Sequence, residues 1–356
     1  VMLRAQRCCV LAVFMAVVLA SQLLSGKFCC SRLVKSADTR RGREVLPMPQ
    51  MNASEISCLL KLAVTEAAAN ITSVGTNGTL KAMQSEGLLP TRWSKCAVVS
   101  SSGVVALKNH STEIDAADAV MHFNTAPLEG YEGWVGSRDD MRFVNNQFAK
   151  LVESHSTPLE LNNHTVYINL LQYADDKEAK LFDDLLQQNP GIRLFMASAA
   201  VEHQVSLVLR HIYSAEWFRE QGRSYTLTTG GVGMTLALSL CDTVFAYGMA
   251  ESEGAKTAPY HYYNNEGTTA SKQEFHRSFT AEKDLWRRLS VSQVADIDAN
   301  NVAEIPGFSH YDCTGYTQSA ALQELEEDME SSKAAPLFSS SLYSARARMA
   351  SLLMQV

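Results

Sequence analysis

Proline and tryptophan are scarce in this chain, with nine and four residues out of 356. Glycine, at 19 residues, is sparse and shows no period, so collagen-like and low-complexity architectures are excluded. Charge is modest too. Asp, Glu, Lys and Arg make up 19 % against 46 % hydrophobic residues, which rules out a wholly disordered chain and a long coiled coil. The 31 Lys and Arg are outnumbered by 38 Asp and Glu, and a net charge of −7 leaves no basic surface for a dedicated nucleic-acid binder. None of the eight cysteines stands in a C-x-x-C pair, so a zinc site is not expected, and eight are too few for a disulfide scaffold. No internal repeat is present. The length suits one large α/β domain with appendages.

One long apolar run is present. Cys8 to Gly26 contains no charged residue, and its 19 positions match the thickness of a bilayer. Arg4 and Arg7 precede it, and Lys27 and Arg32 follow, so charge does not fix its orientation. It reads as an uncleaved anchor or as a signal peptide cleaved after Val18-Leu19-Ala20. The continuation through Leu23 and Leu24 favours the anchor. Either way the remainder enters the secretory pathway. Five N-x-S/T sequons, at Asn52, Asn70, Asn77, Asn109 and Asn163, agree with glycosylation there. Cys8, Cys9, Cys29 and Cys30 lie in or beside the apolar run, as packing residues or acylation sites. Cys58, Cys96, Cys241 and Cys313 remain, an even number for an oxidising compartment, and cysteine arithmetic leaves all three pairings open.

The organisation expected is a tail at 1–7, an anchor at 8–26, a basic stem at 27–50, a catalytic domain at 51–313 and a partly helical tail at 314–356. Ser54 is the expected N-cap of a first helix over 54–69. The body opens with CAVVSSSG from Cys96, a buried strand running into a ligand loop. Further strands are expected at 119–123, 141–145, 165–170, 192–197 and 243–248. Helices are expected near 176–187, 201–221 and 231–241. The alternation predicts an α/β fold with a mainly parallel sheet and helices on both faces, whose ligands bind beyond the carboxyl ends of the strands.

Some residues suit a ligand by type and place. In Thr228-Thr229-Gly230-Gly231 a turn enters a helix whose free N–H groups suit a phosphate or carboxylate, and Thr229 suits a plain N-cap equally well. Gly231-x-Gly233 is too short to count as a dinucleotide fingerprint. Asn124 and Asn145 end strands, where an amide meets a base or ribose or simply makes a turn. Ser101 sits at the end of the first strand. The single D-x-D, Asp296-Ile297-Asp298, comes late and reads as a solvated turn.

Lys95 to Phe148, KCAVVSSSGVVALKNHSTEIDAADAVMHFNTAPLEGYEGWVGSRDDMRFVNNQF, resembles the large sialyl motif of animal-type sialyltransferases, glycosyltransferase family 29. TTGGVGMTLALSLCDTVFAYGM, Thr228 to Met249, resembles the small motif. His261-Tyr262-Tyr263 is similar to motif III, and His276 followed by Glu282 to the very small motif. The opening CAVVSS, the close RFVNNQ and the terminal IPGFSHYDC are most similar to the β-galactoside α2,6 branch. The resemblance spans about Ser54 to Cys313. Two departures stand out. The family places four residues between the last His and Glu, whereas RSFTA supplies five here, so either the loop absorbs one or the helix register shifts. Tyr260 stands where the branch can carry a cysteine.

The resemblance implies a Rossmann-like GT-A variant, a single catalytic domain on an N-terminal membrane anchor, in a type II protein of the Golgi with its domain lumenal. It implies disulfides Cys96–Cys241 and Cys58–Cys313. It implies transfer of sialic acid, with inversion, from CMP-sialic acid to a terminal galactose or GalNAc hydroxyl of a glycan. His276 is then the base and His261 the contact to the donor phosphate, with Ser101, Asn124, Asn145, Thr228, Thr229, Gly230, Tyr262 and Glu282 around the donor. A histidine suits the base because its pKa lies near neutrality. A CMP leaving group needs no metal or other cofactor. The partners are the nucleotide sugar, the glycan and the membrane. Residues 150–225 and 250–275 are expected to shape the acceptor site, and the lean is toward α2,6 linkage. Three other readings stay open: a donor carrying another ulosonic acid such as Kdo, a non-catalytic glycan-binding relative, and a soluble dinucleotide enzyme.

Overall fold

A computed structural model of the chain describes residues 51–68, 72–73, 92–154, 159–170, 176–197, 199–213, 227–268 and 278–316. The tail at 1–7, the apolar run at 8–26, the stem, Asn70, Asn77, His276 and the residues beyond 316 lie outside the described residues. Among those described, no helix is long and apolar enough to cross a membrane.

The main sheet contains eight strands among the described residues: β1 (Thr72–Ser73), β2 (Trp93–Val99), β3 (Ala119–Phe123), β4 (Met141–Val144), β5 (Val166–Asn169), β6 (Arg193–Met196), β7 (Cys241–Tyr247) and β10 (Val302–Pro306). Their order is β1-β6-β5-β4-β3-β2-β7-β10. The six strands from β6 to β7 are parallel. β1 and β10 close the edges antiparallel. A separate hairpin pairs β8 (Pro259–His261) with β9 (Asn264–Thr268).

Burial explains the central strands. AVMHF of β3, MRFV of β4 and VYIN of β5 are buried at every position, as a parallel sheet covered on both faces requires. The edge strand β10 alternates between half-buried and buried positions instead, with one face on the core. The sequence reading named neither β1, β10 nor the hairpin. Short edge strands and polar β9, NNEGT, carry little apolar signal.

The helices are α1 (Ala53–Ala68), α2 (Ser111–Asp115), α3 (Glu132–Val135), α4 (Phe148–Glu153), α5 (Asp176–Gln188), α6 (Ala199–Tyr213), α7 (Thr229–Leu240), α8 (Phe279–Leu289) and α9 (Val294–Asn300). Short 3₁₀ turns occupy Gly103–Leu107, Glu253–Lys256 and Phe308–His310. On one face of the sheet Ala97, Val99 and Val120 pack with Val104, Val105, Ile114 and Val135 of the first 3₁₀ turn, α2 and α3. On the opposite face lies α7. It is apolar all round and buried from Gly231 to Leu238, as a helix enclosed by neighbours must be. A Cβ at Gly233 would come within 2.7 Å of Phe123 and 2.8 Å of Phe143, so a glycine is needed for this close approach.

Two expectations about the helices are corrected. The cap of α1 is Asn52, not Ser54: Asn52 Oδ1 accepts from Glu55 N–H at 3.0 Å, and Glu55 Oε2 accepts from Asn52 N–H at 2.8 Å. The pair forms a reciprocal capping box, and Ser54 already lies inside the helix. The D-x-D at 296–298 is not a turn but part of α9, where Asp298 takes a forked pair of bonds from Arg287 at 2.9 and 3.1 Å.

Both expected disulfides are present. Cys96–Cys241 joins β2 to β7, and Cys58–Cys313 ties α1 to the chain beyond β10 across a sequence separation of 255. Replacing Cys58 and Cys313 together by alanine should cost about 2–5 kcal/mol of stability. Urea unfolding of the parent and the double variant measures it, and a loss below about 0.5 kcal/mol would contradict a stapling role.

Candidate active site

The carboxyl ends of β2, β3, β4 and β7 open onto one edge of the sheet. Their loops are tied to one another. Ser100 N–H, just past β2, donates to Tyr247 O of β7 at 3.0 Å. Ser100 Oγ accepts from Ser102 N–H at 3.2 Å, and Ser102 caps the 3₁₀ turn that follows. Gly248 has φ +69°, and a Cβ there would lie 2.5 Å from Ser100 Oγ, so only glycine fits between these two loops. Ser101 O accepts from Tyr262 N–H at 3.1 Å.

Asn124 and Asn145, 21 residues apart in sequence, are brought together. Asn124 follows β3 in the left-handed region with φ +47°, a conformation asparagine tolerates better than most residues. Its Oδ1 accepts from Asn145 N–H at 3.0 Å, and its own N–H donates to Phe143 O at 2.8 Å. The Asn124 carbonyl accepts from Arg142 Nη1, which also donates to Ala126 O, each at 2.9 Å.

Arg142 was not singled out by the sequence reading. It is fully buried in β4, and its Nε and Nη2 donate to Asp139 Oδ2 at 2.9 and 2.6 Å. His122, buried in β3, meets Asp139 Oδ1 at 3.2 Å and Val135 O at 3.0 Å. Burial alone would raise the Asp139 carboxyl, but Arg142 and His122 beside it bring it below 3.8. The signal was there to read. His122 and Arg142 are the polar residues in two otherwise apolar strands, and a charge in such a strand needs a buried partner.

The third part is the start of α7. Thr228, not Thr229, is the N-cap, and its Oγ1 accepts from Gly231 N–H at 3.0 Å. Thr228 in turn is held by Glu282 of α8. Thr228 N–H donates to Oε1 at 2.9 Å and Thr228 Oγ1 lies 2.5 Å from Oε2. Ser278 Oγ, at the start of α8, adds a bond to Oε1 at 2.7 Å. Glu282 is 3 % exposed, so it sits beneath the helix start rather than on the open edge. Burial pushes its carboxyl above the usual range, while the bonds from Thr228 and Ser278 and the neighbouring Lys283 act to lower it. Burial also brings the Lys283 ammonium down to about 8, against the pull of Glu251 and Glu282.

The β8–β9 hairpin closes the edge. A Cβ at Gly103 would lie 2.5 Å from Pro259 O, so the 3₁₀ turn and β8 approach as closely as a glycine permits. Tyr262 is buried. Its hydroxyl donates to Pro127 O at 2.6 Å, and its ring meets Tyr131 edge-on at 5.1 Å. His261 is half-buried and stacks on Tyr263 with centroids 4.9 Å apart and ring planes 10° apart. Asn264 Nδ2 lies 3.3 Å from His261 Nδ1. The structure thus gathers Ser101, Asn124, Asn145, Thr228, Thr229, Gly230, His261 and Tyr262 on interlocked loops, with Glu282 one layer below. His276, outside the described residues, is two positions before Ser278. The exposed sequon residues Asn52, Asn109 and Asn163 lie elsewhere on the surface. Among the described residues no three His, Cys, Asp or Glu side chains are grouped to share a metal ion.

The family described as glycosyltransferase family 29 (sialyltransferase) matches residues 60–294. The beta-galactoside alpha-2,6-sialyltransferase 2 of Bos taurus is 26 % identical over 238 residues, covering 64 % of this chain and 47 % of that protein. The protein of the same name from Takifugu rubripes is 27 % identical over 236 residues, covering 62 % and 42 %. The chain therefore spans about half the length of the curated relatives it matches. A solved mammalian sialyltransferase in complex with Gal-beta-1-3GalNAc-ortho-nitrophenol is 19 % identical, covers 71 % of this chain and 94 % of its own, and superposes with a TM-score of 0.38, too loose a likeness to argue from.

Two outcomes follow from the geometry. Arg142→Met leaves the largely buried Asp139 carboxyl without its arginine partner and should cost about 3–5 kcal/mol, read by chemical unfolding. Because the Asp139 carboxyl is held below 3.8, its ion pairs stabilise the fold above that value and are lost as pH falls below it. In Asp139→Asn, melting temperature should therefore fall less steeply than in the parent between roughly pH 5 and pH 3. A parallel fall in both proteins would place the acid sensitivity elsewhere.

Proposed function

The chain belongs to glycosyltransferase family 29, the sialyltransferases, and from that membership we propose that it transfers sialic acid from CMP-sialic acid to a galactose or GalNAc hydroxyl of a glycan. The observation that carries the reading is that Asn124 and Asn145, bonded to each other, follow β3 and β4 beside Phe123 and Phe143, against which the first turns of α7 pack through Gly233. A nucleotide monophosphate needs both things that this edge offers: backbone N–H groups at a helix start for the phosphate, and fixed amides for the base and ribose.

In the proposed reaction the bond from the sugar's anomeric carbon to the phosphate oxygen breaks, and its electron pair leaves with CMP. The acceptor oxygen forms the new bond on the opposite face, so configuration inverts. The acceptor proton passes to His276. The transition state has oxocarbenium character, as in other glycosyl transfers. Charge then grows on the departing phosphate, and the preorganised donors of Thr229, Gly230 and His261 stabilise it there without reorganisation. Tyr262 and the Arg142 network hold the surrounding loops. Glu282 acts through Thr228 rather than on the donor. No metal is required in this scheme, because CMP leaves as a single phosphate monoester. The names of the relatives favour an α2,6 linkage. Residues 8–26 would anchor the protein in the Golgi membrane with the sequons in the lumen.

The test is incubation of the purified chain with CMP-sialic acid and a galactose-terminated glycan in the presence of a chelator, following CMP release and product mass. A product heavier by one sialic acid is expected, at an unchanged rate when the chelator is omitted. His276→Ala should lower the rate by about 10²-fold or more, and activity within a few-fold of the parent would sink the assignment of the base. CMP binding with no turnover on any acceptor would replace the transferase with a glycan-binding relative.

A further inference from the structure

We propose that Asn264 is a positioning residue that fixes the His261 ring in the form protonated on Nε2, the hydrogen offered to the departing phosphate. The last part of that statement rests on the function proposed above; the ring's protonation form does not.

The hairpin makes the contact. His261 ends β8 and Asn264 begins β9, and the two residues are direct partners in the strand register. Across such a two-residue turn, paired side chains lie on the same face of the hairpin. Asn264 Nδ2 is 3.3 Å from His261 Nδ1. An amide nitrogen has only hydrogens to give, so Nδ1 must accept. A neutral imidazole that accepts at one nitrogen carries its proton on the other. The ring is also held in orientation. Tyr263 stacks on it almost parallel, and Tyr260 lies against it at 4.3 Å with a 44° tilt. Turning the ring over would bring carbon to the amide and lose the bond.

Asn264 does not serve the fold well otherwise. Its Oδ1 is shut off from solvent and has no hydrogen-bond partner among the described residues. A buried acceptor without a partner costs stability, and such a group calls for a reason. Fixing the histidine supplies one. The proton form matters for the chemistry because Nε2–H can donate to a phosphate oxygen while the ring stays neutral, whereas the opposite form presents a lone pair to that anion.

The experiment reads the ring directly. The purified chain with ¹⁵N-labelled histidine is examined by two-bond ¹H–¹⁵N correlation at a pH where the ring is neutral, with His261 identified by its loss in His261→Gln. The parent is expected to show the Nε2–H form. Asn264→Asp places an acceptor at Nδ1, so the proton should move to Nδ1 or the ring should become doubly protonated at the same pH. Asn264→Leu should show both forms, with a melting temperature equal to or above that of the parent, because the orphaned oxygen goes with the amide. In the transfer assay Asn264→Leu should lower kcat by about 10-fold or more with the acceptor KM unchanged. Asn264→Asp should displace the pH–rate profile upward. A parent ring protonated on Nδ1, or a spectrum that Asn264→Leu leaves unaltered, overturns the proposal. If the parent shows the Nε2–H form but the chain transfers nothing, the proposed function fails and the role of Asn264 stands.

Discussion

Glu282 is 3 % exposed, so its carboxylate has to find its hydrogen bonds inside the protein. It finds them at the backbone and hydroxyl of Thr228 and at Ser278. This fixes two helix starts at once. Thr228 caps α7, and Ser278 precedes α8. Gly231 is part of the same constraint, because a Cβ there would lie 2.6 Å from Glu282 Oε2. The first turn of α7 therefore cannot move without exposing or unpairing a buried carboxylate, which costs far more than an ordinary hydrogen bond. The N–H groups of Thr229 and Gly230 inherit that rigidity. For the proposed reaction, such donors would meet the charge growing on a leaving group without rearranging.

The second half of the edge is held by charge of the other sign. Arg142 lies inside a strand with no exposure, spends two nitrogens on Asp139 and one on the carbonyls of Asn124 and Ala126. Those carbonyls follow β3 at the point where Asn124 takes a positive φ. A lysine could not replace it, since one ammonium cannot span both Asp139 and the loop in fixed directions. The loop that aligns Asn124 with Asn145 is thus fastened from beneath by an ion pair, as the α7 start is fastened by a carboxylate. Both anchors are polar groups placed just under a parallel sheet's carboxyl edge, where the backbone leaves regular structure and needs partners.

Much of this was legible in the sequence. Buried parallel strands appear as short unbroken apolar runs, and β3 through β7 were found that way within a residue or two, while β2 begins at Trp93, three residues before the expected Cys96. The glycines and threonines of 228–231 marked a helix start because their roles are local. The disulfide pairs came only through the resemblance, since four cysteines allow three pairings. The anchors were harder. Arg142 and His122 announce themselves as polar residues in apolar strands, but nothing local says that both meet Asp139. Glu282 sits on an amphipathic helix, and one helical turn looks like another until α7 is placed against it. Asn52 displaced Ser54 as the cap of α1 because both residues suit the position, and only the reciprocal bonds with Glu55 decide.

The extra residue between His276 and Glu282 left two accommodations open in the sequence, a longer loop or a shifted helix, and the described residues bear on the helix. A one-residue shift of α8 rotates its face by about 100°. That would withdraw Glu282 from Thr228 and bring Ala281 or Lys283 beneath the start of α7. Ala281 has no acceptor to give, and a lysine there would set an ammonium against the exposed N–H groups and positive end of α7. The bond from Ser278 to Glu282 spans one helical turn and sets the register from the first residue. The register of α8 is therefore set by the buried carboxylate itself, and Glu282 stays beneath Thr228 whatever spacing precedes Ser278.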